Sequence, residues 1–122
     1  MKIATIAAED LAEIARIGHL RKPVEACGFI LPTPHRNRRV WEMPNRAKEP
    51  DTYLMVEHDI ELSIGEWFGA DTEPYYDQIV VWHTHPSGNA APSQDDINNR
   101  LEDCCNLVVA LSDDGQVAPA FF

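Results

Sequence analysis

The sequence predicts a single α/β domain, a mixed β-sheet with helices packed on it, and three observations predict it. Apolar periodicity gives the order helix, strands, helix, strand, helix, strands, which is the pattern of helices layered on a sheet. The run Gln78-Ile-Val-Val-Trp82 is nearly continuous in apolar and β-branched residues, as expected of a central strand covered on both faces. The chain has 122 residues, 44% hydrophobic and 25% charged, enough to bury one core and too short for two ordinary domains of roughly 100–150 residues. A single domain spanning residues 1–122 is expected.

The first element is helical. Leu11, Ile14, Ala15 and Gly18 recur at helical spacing, Glu9, Asp10 and Glu13 place acid near the start, and Pro23 prevents continuation. Cys27 to Leu31 is a short apolar run ended by Pro32, and Arg39 to Met43 alternates polar with apolar. These form an antiparallel pair joined by a surface turn in the proline- and arginine-rich patch Pro32 to Arg39. After the polar loop Asn45 to Pro50, Tyr53 to Val56 reads as a further strand. Asp59 then caps a helix through Phe68, with Ile60, Ile64, Trp67 and Phe68 facing inward. The central strand follows, then a helix from Ser93 to about Asp103, a buried strand at Leu107 to Leu111, a turn at Asp113-Asp114-Gly115 and a last strand near Val117.

Twenty acidic side chains against ten basic leave a formal charge of −10, so the surface field repels phosphate backbones and no nucleic-acid partner is expected. No stretch approaches the roughly 20 apolar residues that span a bilayer, and the Met1 end lacks the apolar run of a signal peptide. A cytoplasmic protein with no membrane partner is expected. Cys27, Cys104 and Cys105 are odd in number and two are adjacent, where a bridge would be strained, so reduced thiols are expected. Cys104 and Cys105 read as small core residues near a helix end.

The chemistry begins where the central strand ends, in His83-Thr84-His85-Pro86-Ser87-Gly88-Asn89-Ala90-Ala91-Pro92-Ser93-Gln94-Asp95-Asp96. Side chains alternate along a strand, so His83 and His85 point to one side and can share a metal. Pro86 and Pro92 bracket a loop that can fold back and bring the first turn of the next helix beside them, which makes Asp96 the third ligand. Imidazole nitrogen with carboxylate oxygen suits zinc, and three protein ligands with an open fourth position mark a catalytic rather than a structural site. Such a site needs a base for the water whose pKa the metal lowers from about 15.7 toward about 7. Glu25 qualifies: it lies in Pro23-Val-Glu-Ala-Cys-Gly28, at the mouth of a buried strand where a mostly apolar segment has little other reason to carry acid.

A glutamate shortly before Cys-Gly, then His-x-His-Pro, five residues, Pro-Ser, two residues and Asp closely resembles the pattern of the JAMM (MPN-plus) zinc metalloproteases. The resemblance implies that His83, His85 and Asp96 bind zinc, that Glu25 is general base and acid, and that Ser93 donates to the oxyanion of the tetrahedral intermediate. Ten residues separate His85 from Asp96 and the serine-to-aspartate gap agrees; Asp95 is one position out and would point about 100° away on a helix. Thr84 stands where the family usually has serine. The implied fold is cytidine-deaminase-like, a curved mixed sheet flanked by helices, and the resemblance runs from about Leu11 to Leu111.

Within that family, Glu25-Ala-Cys-Gly-Phe29, Asn45-Arg-Ala-x-x-Pro50 ahead of an aromatic strand, and Glu57-His-Asp59 opening a helix look like the peptidase domain of phage tail-tip assembly proteins. Many phage relatives continue into a cysteine-peptidase domain that cleaves cell wall, which these residues do not include. The implied activity is zinc-dependent hydrolysis of a peptide or isopeptide bond in a protein substrate, a phage tail protein processed in the host cytoplasm during tail-tip assembly. Two alternatives stand beside it: cleavage at the carboxyl terminus of a ubiquitin-like or sulfur-carrier protein, and a non-catalytic tail-tip scaffold that retains a zinc site.

Several of these residues also have plainer roles. Ser93-x-x-Asp96 at a helix start is a capping arrangement worth about 1 kcal/mol, and a cap would itself orient Asp96 toward the metal. Cys27 reads as a packed residue behind the site, and His19, His35 and His58 as surface residues. Trp41, Trp67 and Trp82 read as core or interface aromatics, with Trp82 also placed to wall the pocket. Specificity is expected from a protein partner or from the loops around Pro44 to Pro50 and Gly69 to Pro74.

Overall fold

The computed structural model describes residues 6–49, 52–69, 78–86 and 88–122. Its elements are α1 (Ala8–Arg21), β1 (Cys27–His35), β2 (Arg38–Met43), α2 (Glu57–Phe68), β3 (Val80–His85), α3 (Gln94–Asn98), β4 (Cys105–Leu111) and β5 (Val117–Phe121). The strands form a five-stranded mixed sheet of order β2-β1-β3-β4-β5, in which only β3 and β4 run parallel. A parallel pair needs a crossover connection, and the segment containing α3 supplies it. β3 lies at the centre, buried along its whole length, which is why it reads as an apolar run.

Alternation sorts the strand residues onto two faces. On one face Ile30, Val80, Trp82, Leu107 and Val109 pack against Ile14, Ala15 and Ile17 of α1. On the other, Cys27, Phe29 and Val81 pack with Tyr53, and α2 contributes Ile60, Trp67 and Phe68. Fully burying a large apolar side chain is worth about 1.5–3 kcal/mol, so the sheet holds α1 through Ile14 and Ile17 more firmly than its own propensity does, whereas α2 packs only through partly buried side chains. A Cβ at Gly28 would fall 2.0 Å from the Trp41 carbonyl oxygen and 2.7 Å from Trp82 Cζ2, so glycine lets Trp82 lie across β1. Trp82 therefore faces α1, opposite the side taken by its neighbour His83, and does not wall the pocket.

Where boundaries differ from the sequence reading, backbone hydrogen bonding explains them. β1 continues past Pro32 to His35 with a register shift after Ile30, because β3 pairs with it only from Cys27 to Ile30 and the missing N–H groups of Pro32 and Pro34 cost nothing there. The turn narrows to Arg36 and Asn37, both at positive φ. Tyr53 to Val56 is not a strand: the Leu54 N–H donates to Asn45 Oδ1 and the Leu54 carbonyl accepts from the Arg46 N–H, so one side chain and a loop amide replace a ladder. Val56, not Asp59, is the N-cap of α2; Asp59 lies in the first turn, paired with Arg46. α3 stops at Asn98 rather than near Asp103, since buried Asn106 bonds the Leu101 N–H and the carbonyls of Leu101 and Cys104, holding that segment as a turn. Of the loop Gly69 to Pro74, residues 70–74 lie outside the described residues, as does the Met1 end.

Candidate metal centre

β3 delivers His83 and His85 to the same face, and both are buried. Beyond Pro86 the chain turns through Gly88 at a φ of 83°, a left-handed conformation that suits glycine. Asn89 then accepts the Ala91 N–H on its Oδ1 at 3.0 Å, and its carbonyl oxygen lies 2.7 Å from His85 Nδ1. A carbonyl can only accept, so His85 carries a proton on Nδ1, and in its neutral form the Nε2 lone pair faces the cluster, where it can ligate a metal.

Ser93 is the N-cap of α3. Its Oγ accepts the Asp96 N–H at 3.1 Å, and Asp96 Oδ2 accepts the Ser93 N–H at 2.8 Å. This reciprocal cap aims the buried Asp96 carboxylate, whose Oδ2 lies 3.0 Å from His85 Nε2 and whose Oδ1 lies 3.2 Å from His83 Nε2. The two Nε2 atoms are 3.2 Å apart. Glu25, buried just ahead of β1, brings Oε2 to 3.9 Å from His85 Nε2. One ligand atom from each of Glu25, His83, His85 and Asp96 lies within 4.8 Å of all the others.

The two imidazole Nε2 atoms are 3.2 Å apart and each has a different Asp96 oxygen beside it, Oδ1 at 3.2 Å from His83 and Oδ2 at 3.0 Å from His85. With Glu25 the donors converge closely enough that the cluster could hold a metal ion. Burial works to raise the Asp96 carboxyl, but hydrogen bonds from His83 and the Ser93 amide, with the charges of His83 and His85, outweigh it and hold Asp96 well below the usual carboxylate range. Burial pushes His83 down despite the pull of Asp96, favouring the neutral imidazole that a metal requires.

Glu25, His85 and Ser93 line a cleft of about 470 Å³. A second cleft, of about 480 Å³, reaches Glu25 from the side of Arg21, Glu42 and Asn45. Ser93 is exposed, and its hydroxyl oxygen serves the cap as an acceptor, which leaves the O–H proton to donate. Capping and donation are therefore compatible in one residue.

The structure brings Glu25, His83, His85 and Asp96 together, sets Ser93 at the cleft and leaves Asp95 exposed. Cys27 is buried outside this cluster, its Sγ turned to the carbonyls of Met43 and Pro44 at 3.7 and 3.9 Å, and burial and then Glu42 and Glu25 push its thiol up to about 12. His19 and His58 are exposed, whereas His35 is half-buried against Trp41, with ring centroids 5.6 Å apart. Sequence reasoning missed Tyr53, which stacks on His83 at 4.1 Å, and the hydrogen bonds of Asn45 and Thr84 around Glu25. The only signal for Asn45 was its place in a polar loop segment that resembled a subgroup of the family.

The mixed α/β fold and the buried cluster of two histidines and two carboxylates define a domain with a candidate metal centre at the carboxyl end of its central strand. This chain belongs to the family of prokaryotic homologs of the JAB domain, whose model matches residues 7–121, and with it to the JAMM/MPN group. Its fold is similar to the solution structure of a protein from Desulfitobacterium hafniense, at 17% identity and a TM-score of 0.66, with 93% of this chain and 87% of that chain covered. Among curated proteins none matches significantly.

Proposed function

We propose that this domain is a zinc-dependent peptidase or isopeptidase. The observation that carries the reading is a buried carboxylate, Glu25, set beside three converging donors at an open cleft. His83 Nε2, His85 Nε2 and an Asp96 oxygen form a donor set suited to zinc, with a position left for water or substrate. Zinc, when bound, supplies Lewis-acid polarisation of a carbonyl and lowers the pKa of water toward about 7.

The chain's own residues do the rest. Glu25 accepts a proton on its carboxylate and returns it to the leaving nitrogen, acting in turn as base and acid. Ser93 donates its O–H to the substrate oxygen on which negative charge develops. The bond from His85 Nδ1 to the Asn89 carbonyl keeps the imidazole in one tautomer, and Asp96 stays ionised through the cycle. Glu25→Gln should retain one zinc per chain and lose turnover by about 10²-fold or more. A fully active Glu25→Gln variant would sink this reading.

The substrate is a protein segment, and the resemblance of Glu25 to Phe29 and Asn45 to Pro50 to phage tail-tip proteins supports a tail protein processed during assembly. Incubating the zinc-loaded domain with a tail-protein fusion and with fusions to ubiquitin-like and sulfur-carrier proteins decides the point. Cleavage of the tail fusion alone supports it, and cleavage only after the carrier terminus reassigns the substrate. Tight binding of the tail protein without cleavage identifies a scaffold.

A further inference from the structure

The peptide unit that follows Glu25 is gripped at both ends by side chains. Its carbonyl oxygen accepts from Asn45 Nδ2 at 2.8 Å, and its amide, the Ala26 N–H, donates to Thr84 Oγ1 at 2.9 Å. One residue later, the Ala26 carbonyl accepts the Thr84 N–H at 2.9 Å. β1 begins at Cys27, so the Glu25–Ala26 peptide lies outside the regular strand and these contacts take the place of a ladder.

Both gripping side chains are themselves immobilised. Asn45 uses all four of its hydrogen-bonding positions: Nδ2 also donates to the Thr52 carbonyl at 3.0 Å, while Oδ1 accepts the Ala47 and Leu54 N–H groups at 2.9 and 3.1 Å. That pattern allows one orientation of the amide. Thr84 is fully buried, and α1 presses on it where Gly18 leaves no room for a Cβ, which would fall 2.8 Å from Thr84 Cγ2. These bonds tie the backbone of Glu25 and Ala26 to β3 and to the Asn45 loop, and a shift of that backbone, or a change of ψ at Glu25 not compensated in φ at Ala26, would swing the Glu25 carboxylate relative to His85.

We propose that Asn45 and Thr84 are positioning residues for Glu25, anchoring the backbone from which its carboxylate reaches the candidate metal centre. Thr84 lies between His83 and His85 in the chain, so a single residue registers the carboxylate against both imidazoles. The proposal rests on Glu25 as the proton-transfer group.

The test uses three variants of the full chain. Thr84→Val removes the hydroxyl at constant shape, Thr84→Ser restores it, and Asn45→Asp keeps both acceptor contacts while losing both donors. Crystal structures of the zinc-loaded proteins should show the Glu25 carboxylate in one position in wild type and Thr84→Ser, and displaced by about 1 Å or split in Thr84→Val and Asn45→Asp. A shift of that size should lower kcat by about 10-fold or more with KM little changed, since misplacement by about 1 Å can cost up to about 10²-fold. Zinc affinity should stay within about 3-fold of wild type, because no ligand is touched. In a Glu25→Gln background, Thr84→Val should add no further loss.

An unmoved Glu25 in both Thr84→Val and Asn45→Asp would overturn the proposal. So would zinc affinity falling in step with kcat, which would place the effect of Thr84 on the histidines. If Thr84→Val does not fold, Asn45→Asp decides alone. A wild type that cleaves nothing would fell the hydrolytic reading, while the position of Glu25 in the variant structures would still decide whether these two residues hold it.

Discussion

Tyr53 lies flat on the imidazole of His83, with ring centroids 4.1 Å apart and planes inclined by 18°. Phe122 meets the same ring edge-on at 5.7 Å and 87°. Among the described residues His83 Nδ1 has no hydrogen-bond partner, so packing against Tyr53 and Phe122, rather than a hydrogen bond, restrains the orientation of this ring. Tyr53→Phe keeps the stack and should leave zinc affinity within about 2-fold, whereas Tyr53→Ala frees the ring and should weaken it by about 10-fold or more. Truncating a buried aromatic should also cost about 3–5 kcal/mol in urea denaturation. Competitive zinc titration separates the effects: unchanged affinity in a folded Tyr53→Ala protein would mean that β3 alone aims His83.

Two neighbouring acids on α3 should behave in opposite ways. Asp96 is buried, hydrogen-bonded to the Ser93 amide and 3.0 Å from His85 Nε2, while Asp95 is exposed. Asp96→Asn loses the anionic donor and should weaken zinc binding by more than about 100-fold, judged against the 10–100-fold typical of residues that only support ligands. Asp95→Asn should change it by less than about 2-fold. Metal content after desalting reads both variants, and equal loss in the two would show that α3 does not present Asp96 to the histidines.

The same pair shows what could be read from sequence. His83, His85 and Asp96 were legible because strand alternation, a proline-bounded loop and a helix cap are local rules, each acting over a few residues. Glu25 needed the additional oddity of an acid inside an apolar run. Tyr53 and Thr84 were not legible in their roles, since their contacts join segments distant in sequence: Tyr53 meets His83, and Thr84 meets Ala26. The misread strand at Tyr53 to Val56 has the same origin. Its residues have strand propensity, but the Asn45 side chain takes the backbone amide of Leu54 that a ladder would have used.

Cys27 and Cys104 should be silent thiols in the native protein. Burial is the chief cause that pushes both up to about 12, helped by Glu42 and Glu25 at Cys27 and by Asp103 and Cys105 at Cys104. A raised folded-state pKa means that the unfolded chain loses these protons first as pH rises. The associated stability is present in full below the ordinary thiol value of 9.0 and is lost as pH climbs toward about 12. Iodoacetamide at pH about 8 should label Cys27 and Cys104 only in the urea-unfolded chain, where thiolate becomes accessible. Thermal midpoints should fall above pH about 9, less steeply in Cys27→Ala. Rapid native-state labelling of Cys27, read by peptide mass spectrometry, would contradict its burial.

Gly18 should resist even the smallest enlargement. Replacing a helical glycine with alanine ordinarily stabilises by about 1 kcal/mol. Here a Cβ would stand 2.4 Å from Leu111 Cδ1 and 2.8 Å from Thr84 Cγ2. Both neighbours are fully buried in the sheet, so neither has solvent to retreat into. Overpacking a core typically costs about 1–3 kcal/mol, which outweighs the propensity gain at all but its lower limit. Gly18→Ala should therefore lower the urea midpoint with m unchanged. Because Thr84 is one of the two displaced groups, it should also disturb the bond from the Ala26 amide to Thr84 Oγ1, seen as faster exchange of that amide proton while the amides of β4 stay protected. Wild-type stability in Gly18→Ala would mean that α1 can rise from the sheet without loss, and the close approach at Gly18 would then contribute nothing to holding Thr84 in place.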